Sequence, residues 1–439
     1  MKIAVAGTGY VGLVTGVCLA ENGHSVSCVD VDENKVNIMK SGKSPIYEPG
    51  LTELMRKNLD SLNFTTNYKS AYKDADVIFI GVGTPEKRDG SANLSHVYSV
   101  AIQIAESIEK DCVVVVKSTV PIGTNDKVEE ILRANLVHNV NVYVASNPEF
   151  LAQGSAIKDT LYSSRIVIGA EEEFAAETLK KVYKNFNAPI LVTKRKSAEM
   201  IKYASNDFLA LKISFINEIA NLCEIIGADI DEVALGMGYD NRIGNKFLNS
   251  GIGYGGSCFP KDTKALHWLA NFHDYELKTI KATIDINENQ KIKLIKKSRK
   301  YFDSLNGLTV AVLGLSFKPG TDDLREAPSL VNIPIMLEDG AKVKVWDPVA
   351  FENFRKFYPN QVTYCDSIEE TLLNTDICFI FTEWEEVRNF KISDYSKLMK
   401  NPIILDGRNC YKLHEIEKNN LIYDSIGRET INNLKYTMV

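Results

Sequence analysis

Chemistry-bearing residues cluster most densely in the segment Gly251-Ile252-Gly253-Tyr254-Gly255-Gly256-Ser257-Cys258-Phe259-Pro260-Lys261-Asp262, where a thiol sits among glycines, a cation and a carboxylate. Four glycines within six positions read as backbone that lies close against a ligand, not as packing. Cys258 is the one cysteine in so polar a setting; most of those at 18, 28, 112, 223, 365, 378 and 410 fall in apolar runs, where thiols are structural. A cation such as Lys261 beside the sulfur would lower the thiol from its free value of about 8.5 and enrich the nucleophilic thiolate. An inert thiol in a turn is the plain alternative, and Cys258 taken alone does not exclude it. No CxxC pair and no short cysteine–histidine spacing occurs, so no metal site and no disulfide framework is expected. Reduced thiols in a cytoplasmic protein fit this usage.

A second motif supplies a partner for that thiol. Gly7-Thr8-Gly9-Tyr10-Val11-Gly12 follows a predicted strand and opens a predicted helix. Gly7 permits the tight turn, Gly9 lets a pyrophosphate approach the backbone, and Gly12 lets helix pack on strand. Asp30 ends the next strand, where a carboxylate would accept from both ribose hydroxyls and repel a 2′-phosphate, favouring NAD over NADP. Gly81-Val82-Gly83-Thr84-Pro85 and Lys117-Ser118-Thr119-Val120-Pro121 each end a strand, and Thr84, Pro85, Ser118 and Thr119 could line the nicotinamide end; ordinary turns are the alternative. A nicotinamide cofactor and a nucleophilic cysteine together imply oxidation beyond the aldehyde. An aldehyde cannot surrender a hydride until a nucleophile adds, and a thiolate adds to give a thiohemiacetal that can.

The elements that must position these groups are legible in outline. Strands are expected at Ile3–Ala6, Ser25–Val29, Val77–Val82, Val113–Lys117, Val142–Ala145 and Arg165–Ile168, alternating with helices in a parallel, doubly wound sheet. A long helix free of glycine and proline is expected from Ser197 to about Gly227, with a second near Asp229–Met237. A loop then covers Tyr239–Asp262, with helices at Thr263–Asn271 and Glu276–Asp303. A second α/β block comes next, with strands at Thr309–Leu313, Lys342–Trp346 and Asp376–Phe381 and a helix at Ser329–Glu338. The fold class is α/β: two Rossmann-like doubly wound domains, 1–196 and 304–439, joined by a helical central domain, 197–303. The chain has 439 residues, 45% hydrophobic and 25% charged, and a formal net charge of −6, which argues against a nucleic-acid binder. The uncharged run Ile3–Ala20 could pass for a signal segment, but Gly7, Gly9, Gly12 and Gly16 interrupt it; no membrane association is expected.

With these residues in view, the chain resembles the UDP-glucose 6-dehydrogenase family of the nucleotide-sugar dehydrogenases over nearly its whole length. The resemblance is carried by GTGYVG at 7–12, KSTVP at 117–121, NPEFL at 147–151, AEMIKYASNDF at 198–208, RIGNKFL at 242–248, GYGGSCFPKD at 253–262, GLSFKPGTDDLRE at 314–326 and DGRN at 406–409. It implies Cys258 as nucleophile, Asp262 with a water as acceptor of the alcohol proton, and Lys202 as stabiliser of oxyanions. Glu149, aided by Thr119, would activate the water that cleaves a thioester, and Asn206 would face the same site from one helical turn beyond Lys202. It further implies cofactor contacts by Gly7, Gly9, Tyr10, Val11, Gly12, Asp30, Lys35, Lys261 and Arg325. Nucleotide-sugar contacts would come from Glu149, Phe150, Leu151, Lys202, Asn206, Tyr254, Gly255, Phe317, Lys318 and Arg408, with Arg242 reaching in from a neighbouring subunit. Lys318 and Arg408 would bind the diphosphate by charge. The long helix, whose run Phe208, Leu211, Lys212, Phe215, Ile219 and Leu222 is largely apolar at helical spacing, would form the core of a homodimer or larger homo-oligomer.

GDP-mannose dehydrogenases share the GGSCxPKD pattern and remain open as an alternative. The UDP-N-acetylmannosamine enzymes fit less well, since their cysteine loop usually reads GGHC without the Lys-Asp pair. A non-catalytic NAD or nucleotide-sugar sensor would be expected to lose Cys258, Lys202 or Asp262. A simple two-electron hydroxyacid dehydrogenase would need neither Cys258 nor the second α/β block.

Overall fold

Alternation with period two decides both sheets. In the computed structural model, which describes residues 1–434, Val77 and Phe79 enter one core while Ile78 and Ile80 enter another. The same division separates Val113 and Val115 from Val114 and Val116. Strands buried on both faces must be near-continuously apolar, and these are.

The chain forms two compact units, Met1–Ser205 with Lys264–Asp274, and Asn206–Thr263 with Tyr275 onward. The first holds eight strands: β1 Lys2–Ala6, β2 Ser25–Val29, β3 Leu62–Thr65, β4 Val77–Ile80, β5 Cys112–Val116, β6 Val142–Ser146, β7 Ile166–Ala170 and β8 Ile190–Thr193. Their order is β3-β2-β1-β4-β5-β6-β7-β8. All pairs are parallel except β6 with β7, so the expected wholly parallel sheet is corrected at that one step. Strand order reverses between β1 and β4, and the crevice beyond the carboxyl ends of strands at such a point is where open sheets bind ligands.

The second unit repeats the plan with β9 Thr309–Leu313, β10 Lys342–Trp346, β11 Thr363–Tyr364, β12 Ile377–Ile380, β13 Ile403–Asp406, β14 Ile422–Asp424 and β15 Ile431–Asn432, in the order β11-β10-β9-β12-β13-β14-β15. Only β15 runs antiparallel to its neighbour.

Four helices carry or brace the residues singled out above: α1 Tyr10–Glu21, α2 Arg195–Ile226, α3 Phe259–Phe272 and α4 Lys278–Lys291. With no glycine or proline inside it, α2 runs 32 residues, a rod of about 48 Å. It ends where Gly227 turns left-handed and donates to the Cys223 carbonyl. The helix α3 starts four residues earlier than expected: Pro260 suits a first turn, where its missing N–H costs nothing. Cys258 therefore directly precedes a helix, and Asp262 lies in its first turn rather than in a loop.

Candidate active site

In the first unit, the phosphate turn is built as the motif requires. A Cβ on Gly12 would collide with the Gly7 carbonyl, whereas one on Gly9 would meet nothing within 4 Å, so the turn stays open at Gly9. No side chain caps α1 and its first turn holds no acid, leaving amides and the positive dipole end for an anion. Asp30 accepts from the Thr8 amide (2.9 Å) and hydroxyl (2.5 Å) through Oδ2 and from the Asp32 amide (3.0 Å) through Oδ1. Burial works against its charge, yet these bonds, with Lys35 nearby, hold it below the ordinary carboxylate range. A carboxylate offers roughly four acceptor positions. Three are committed within the chain, and the open position at Oδ1 is available to a ligand. These residues fit a dinucleotide. Thr84 donates to the Thr119 carbonyl (2.9 Å) and Ser118 to the Val82 carbonyl (2.6 Å), tying the two strand-end loops together, with Pro85 exposed beside them. Tyr10 donates to the Tyr47 carbonyl, and Val11 is half-buried.

The same unit buries an ion pair. Lys202 Nζ lies 2.8 Å from Glu149 Oε1, with the side chains 3% and 5% exposed, and the Leu151 amide donates to Glu149 Oε2 at 2.8 Å. The Phe150 ring has the Lys202 ammonium 5.5 Å and the Arg165 guanidinium 3.9 Å from its centroid. Arg165, held by Ser205, was missed in the sequence because a lone arginine before a strand carries no signal. Lys117 is a second buried amine, donating to Asn147 Oδ1 at 3.0 Å. Burial pushes it down to about 8, against the attraction of Glu149 and with the repulsion of Lys202.

In the second unit, Asp262 is 1% exposed and accepts from Asn206 Nδ2 (2.7 Å) and Lys261 Nζ (2.5 Å). Lys261, expected to act on the Cys258 thiol, has its ammonium on Asp262. The thiol sits at the N-terminal end of α3, where the Cys258 carbonyl accepts from the Asp262 amide (2.8 Å) as the helix starts. The sulfur is partly exposed, with Ser257 Oγ 3.8 Å away.

The four glycines correct a second expectation, since each one packs against protein. A Cβ would meet the Gly407 carbonyl from Gly251, Asn287 from Gly253, the Glu326 carbonyl from Gly255 and the Phe317 ring from Gly256. The loop is thus pressed onto the GLSFKPGTDDLRE segment of its own unit. Asn287 on α4 pins Tyr254 at both its amide (2.8 Å) and its carbonyl (3.0 Å), a role no local pattern announced. Arg408 reaches the carbonyls of Phe381 (2.8 Å), Gly253 (3.1 Å) and Phe317 (3.2 Å), so much of its donor capacity orders this loop. Lys318 stands over the Phe317 ring at 5.7 Å. Arg325 forks onto Asp323, and Arg242 onto Asp240 with its side chain 89% exposed. Among the described residues no cluster could hold a metal ion.

Three family models cover the chain in order: the NAD binding domain of the UDP-glucose/GDP-mannose dehydrogenase family at residues 1–187, its central domain at 196–289, and its UDP binding domain at 311–413. The chain belongs to the UDP-glucose/GDP-mannose dehydrogenase family. As a member of that family it is an NAD-dependent oxidoreductase with a UDP binding domain. A UDP-glucose 6-dehydrogenase of Bacillus subtilis is 50% identical over 433 residues, covering 98% of each chain. Another from Rhizobium meliloti is 45% identical over 438 residues, 98% of this chain and 100% of its own. Among solved structures, a UDP-glucose dehydrogenase from Pyrobaculum islandicum matches with TM-score 0.91 at 38% identity, covering 97% of this chain and 98% of its own. No helix among the described residues is long and apolar enough to cross a membrane.

Proposed function

We propose that this dehydrogenase oxidises the C6 alcohol of UDP-glucose to the carboxylate in two hydride transfers, with Cys258 as covalent nucleophile. The observation that carries the reading is the arrangement at the start of α3: a partly exposed thiol at the helix end, with a buried carboxylate one turn later held by an amide and an ammonium. The relatives named UDP-glucose 6-dehydrogenase support the choice of sugar nucleotide.

NAD, when bound against the Gly7–Gly12 turn and Asp30, supplies the hydride acceptor. Asp262 takes the hydroxyl proton, directly or through a water, as the first oxidation produces the aldehyde. The Cys258 thiolate then adds to the carbonyl carbon, forming a C–S bond, and the Lys202 ammonium stabilises the oxyanion. Collapse of that oxyanion to a carbonyl, with departure of the second hydride from the same carbon, leaves a thioester. Glu149, paired with Lys202 and assisted by Thr119, activates the water that displaces the thiolate and gives the acid. Asn206 orients Asp262. Phe150, Leu151, Tyr254, Gly255, Phe317, Lys318 and Arg408 contact the nucleotide-sugar, and Lys35, Lys261 and Arg325 the cofactor.

The assembly we propose is a homodimer or larger homo-oligomer through α2. Phe208 (61% exposed), Phe215 (43%) and Leu222 (49%) recur every seven residues on one open face, while the partly buried Ile219 packs inward. The exposed fork of Arg242 suits a residue that serves a neighbouring subunit. Eight free cysteines suit a cytoplasmic setting.

The purified protein is expected to form two NADH per UDP-glucose consumed, read by absorbance against sugar-nucleotide depletion. One NADH per sugar, with aldehyde accumulating, overturns the acid-forming reading. GDP-mannose and UDP-N-acetylmannosamine in the same assay test the choice of substrate.

A further inference from the structure

One buried carboxyl has no place in that mechanism. Asp207 follows Asn206 on α2 and is 2% exposed, and neither of its oxygens has a hydrogen-bond partner among the described residues. Buried polar groups without partners are rare enough in folded proteins to require a reason, and an ionised carboxylate so placed is costly. Its neighbour Asn206 donates to Asp262 Oδ2. The charged and titratable groups that act on Asp207 from other elements are Asp262 and Lys261 on α3 and Tyr254 in the glycine loop. Lys261 is already bound to Asp262 at 2.5 Å. Two carboxyls thus share one cation, and the cation and the amide both go to Asp262.

We propose that Asp207 is a positioning residue that keeps its proton beside Asp262, so that the proton-accepting role falls to Asp262, the carboxyl that holds the donors. This rests on Asp262 being the base proposed above. Two like charges in one buried setting do not both form readily, and the member with the better donors keeps the charge. Burial first, then the repulsion of Asp262, push Asp207 up to about 8, with Lys261 opposing. Through neutral pH Asp207 is a neutral acid. As pH rises past about 8 it ionises, and a negative charge appears beside Asp262.

The sign of the stability effect is set by linkage. An unfolded Asp207 ionises near its ordinary 3.8, whereas the folded one keeps its proton to about 8. The native state therefore binds more protons between those values, and stability falls as pH rises through that window. Asp207→Asn cannot ionise, so its stability relative to wild type should climb from pH 4 to pH 8 and level off above.

The test compares wild type, Asp207→Asn and Asp262→Asn. Denaturant unfolding of the first two across pH 4–9 should show the climbing difference. The ratio of their kcat/KM values should stay flat below pH 7 and shift several-fold between pH 7.5 and 9. A ratio and a stability difference that are both independent of pH, with Asp262→Asn inactive, overturn the assignment of Asp207 alone. An active Asp262→Asn overturns the base itself, which is a separate result. Should Asp207→Asn fail to fold, Asp207→Ala replaces it in both measurements, since alanine is the best helix former and leaves no polar group behind.

Discussion

Cys258→Ser is expected to lower kcat by at least a thousand-fold, roughly the scale of losing a nucleophile, while the Kd for NAD stays at the wild-type value. Serine keeps the size and the first helical bond, so the start of α3 should survive. What disappears is the thiolate: a hydroxyl in the same place stays protonated at neutral pH and adds poorly to an aldehyde. The first oxidation does not need the sulfur, so the variant should release or retain aldehyde and form at most one NADH per sugar. Cofactor titration by fluorescence serves as the fold control, because the Gly7–Gly12 turn and Asp30 belong to the other unit. Wild-type turnover in this variant would remove the covalent step.

Lys202→Met should be nearly as damaging for a different reason. Lys202 and Glu149 are 3% and 5% exposed and 2.8 Å apart. Deleting one partner of a buried pair strands the other and typically costs about 3–5 kcal/mol. The loss here should lie near the lower bound, since Lys117 also acts on Glu149 and would feel less repulsion once Lys202 is gone. Loss of the oxyanion donor should reduce kcat by roughly 10²–10³-fold. The double variant Lys202→Met/Glu149→Gln separates the two effects. It should recover most of the stability in denaturant unfolding and none of the rate. Recovery of both would make the pair purely structural.

Legibility from the sequence depended on the kind of pattern. Ser25–Val29, Thr309–Leu313 and Lys342–Trp346 were legible to the residue because each is a β-rich run ending at a turn or an aspartate. The edge strands β3, β8, β11 and β15 were missed. They are short, and β3, β11 and β15 carry mixed polarity, while β8 reads Ile-Leu-Val-Thr but has no buried residue. Strands β13 and β14 escaped notice because two or three apolar residues before an aspartate do not by themselves distinguish strand from buried helix. At the site, residue types announced the turn, the thiol and the acid. What they did not announce was pairing. That Lys261 serves Asp262, that Arg408 spends itself on backbone carbonyls, and that Asp207 is buried with no hydrogen-bond partner among the described residues all depend on how side chains meet in the folded chain.

The seven other cysteines lend the chain a practical property. Burial is the leading cause raising every one of their thiols, with those at 18, 28 and 112 pushed to about 12. Towards a mild electrophile such as iodoacetamide the folded protein should label first at Cys258, with Cys410, the other partly exposed cysteine, held back by a thiol raised well above its ordinary value. Label incorporated would then count competent catalytic centres in a preparation, and a bound sugar nucleotide would shield them.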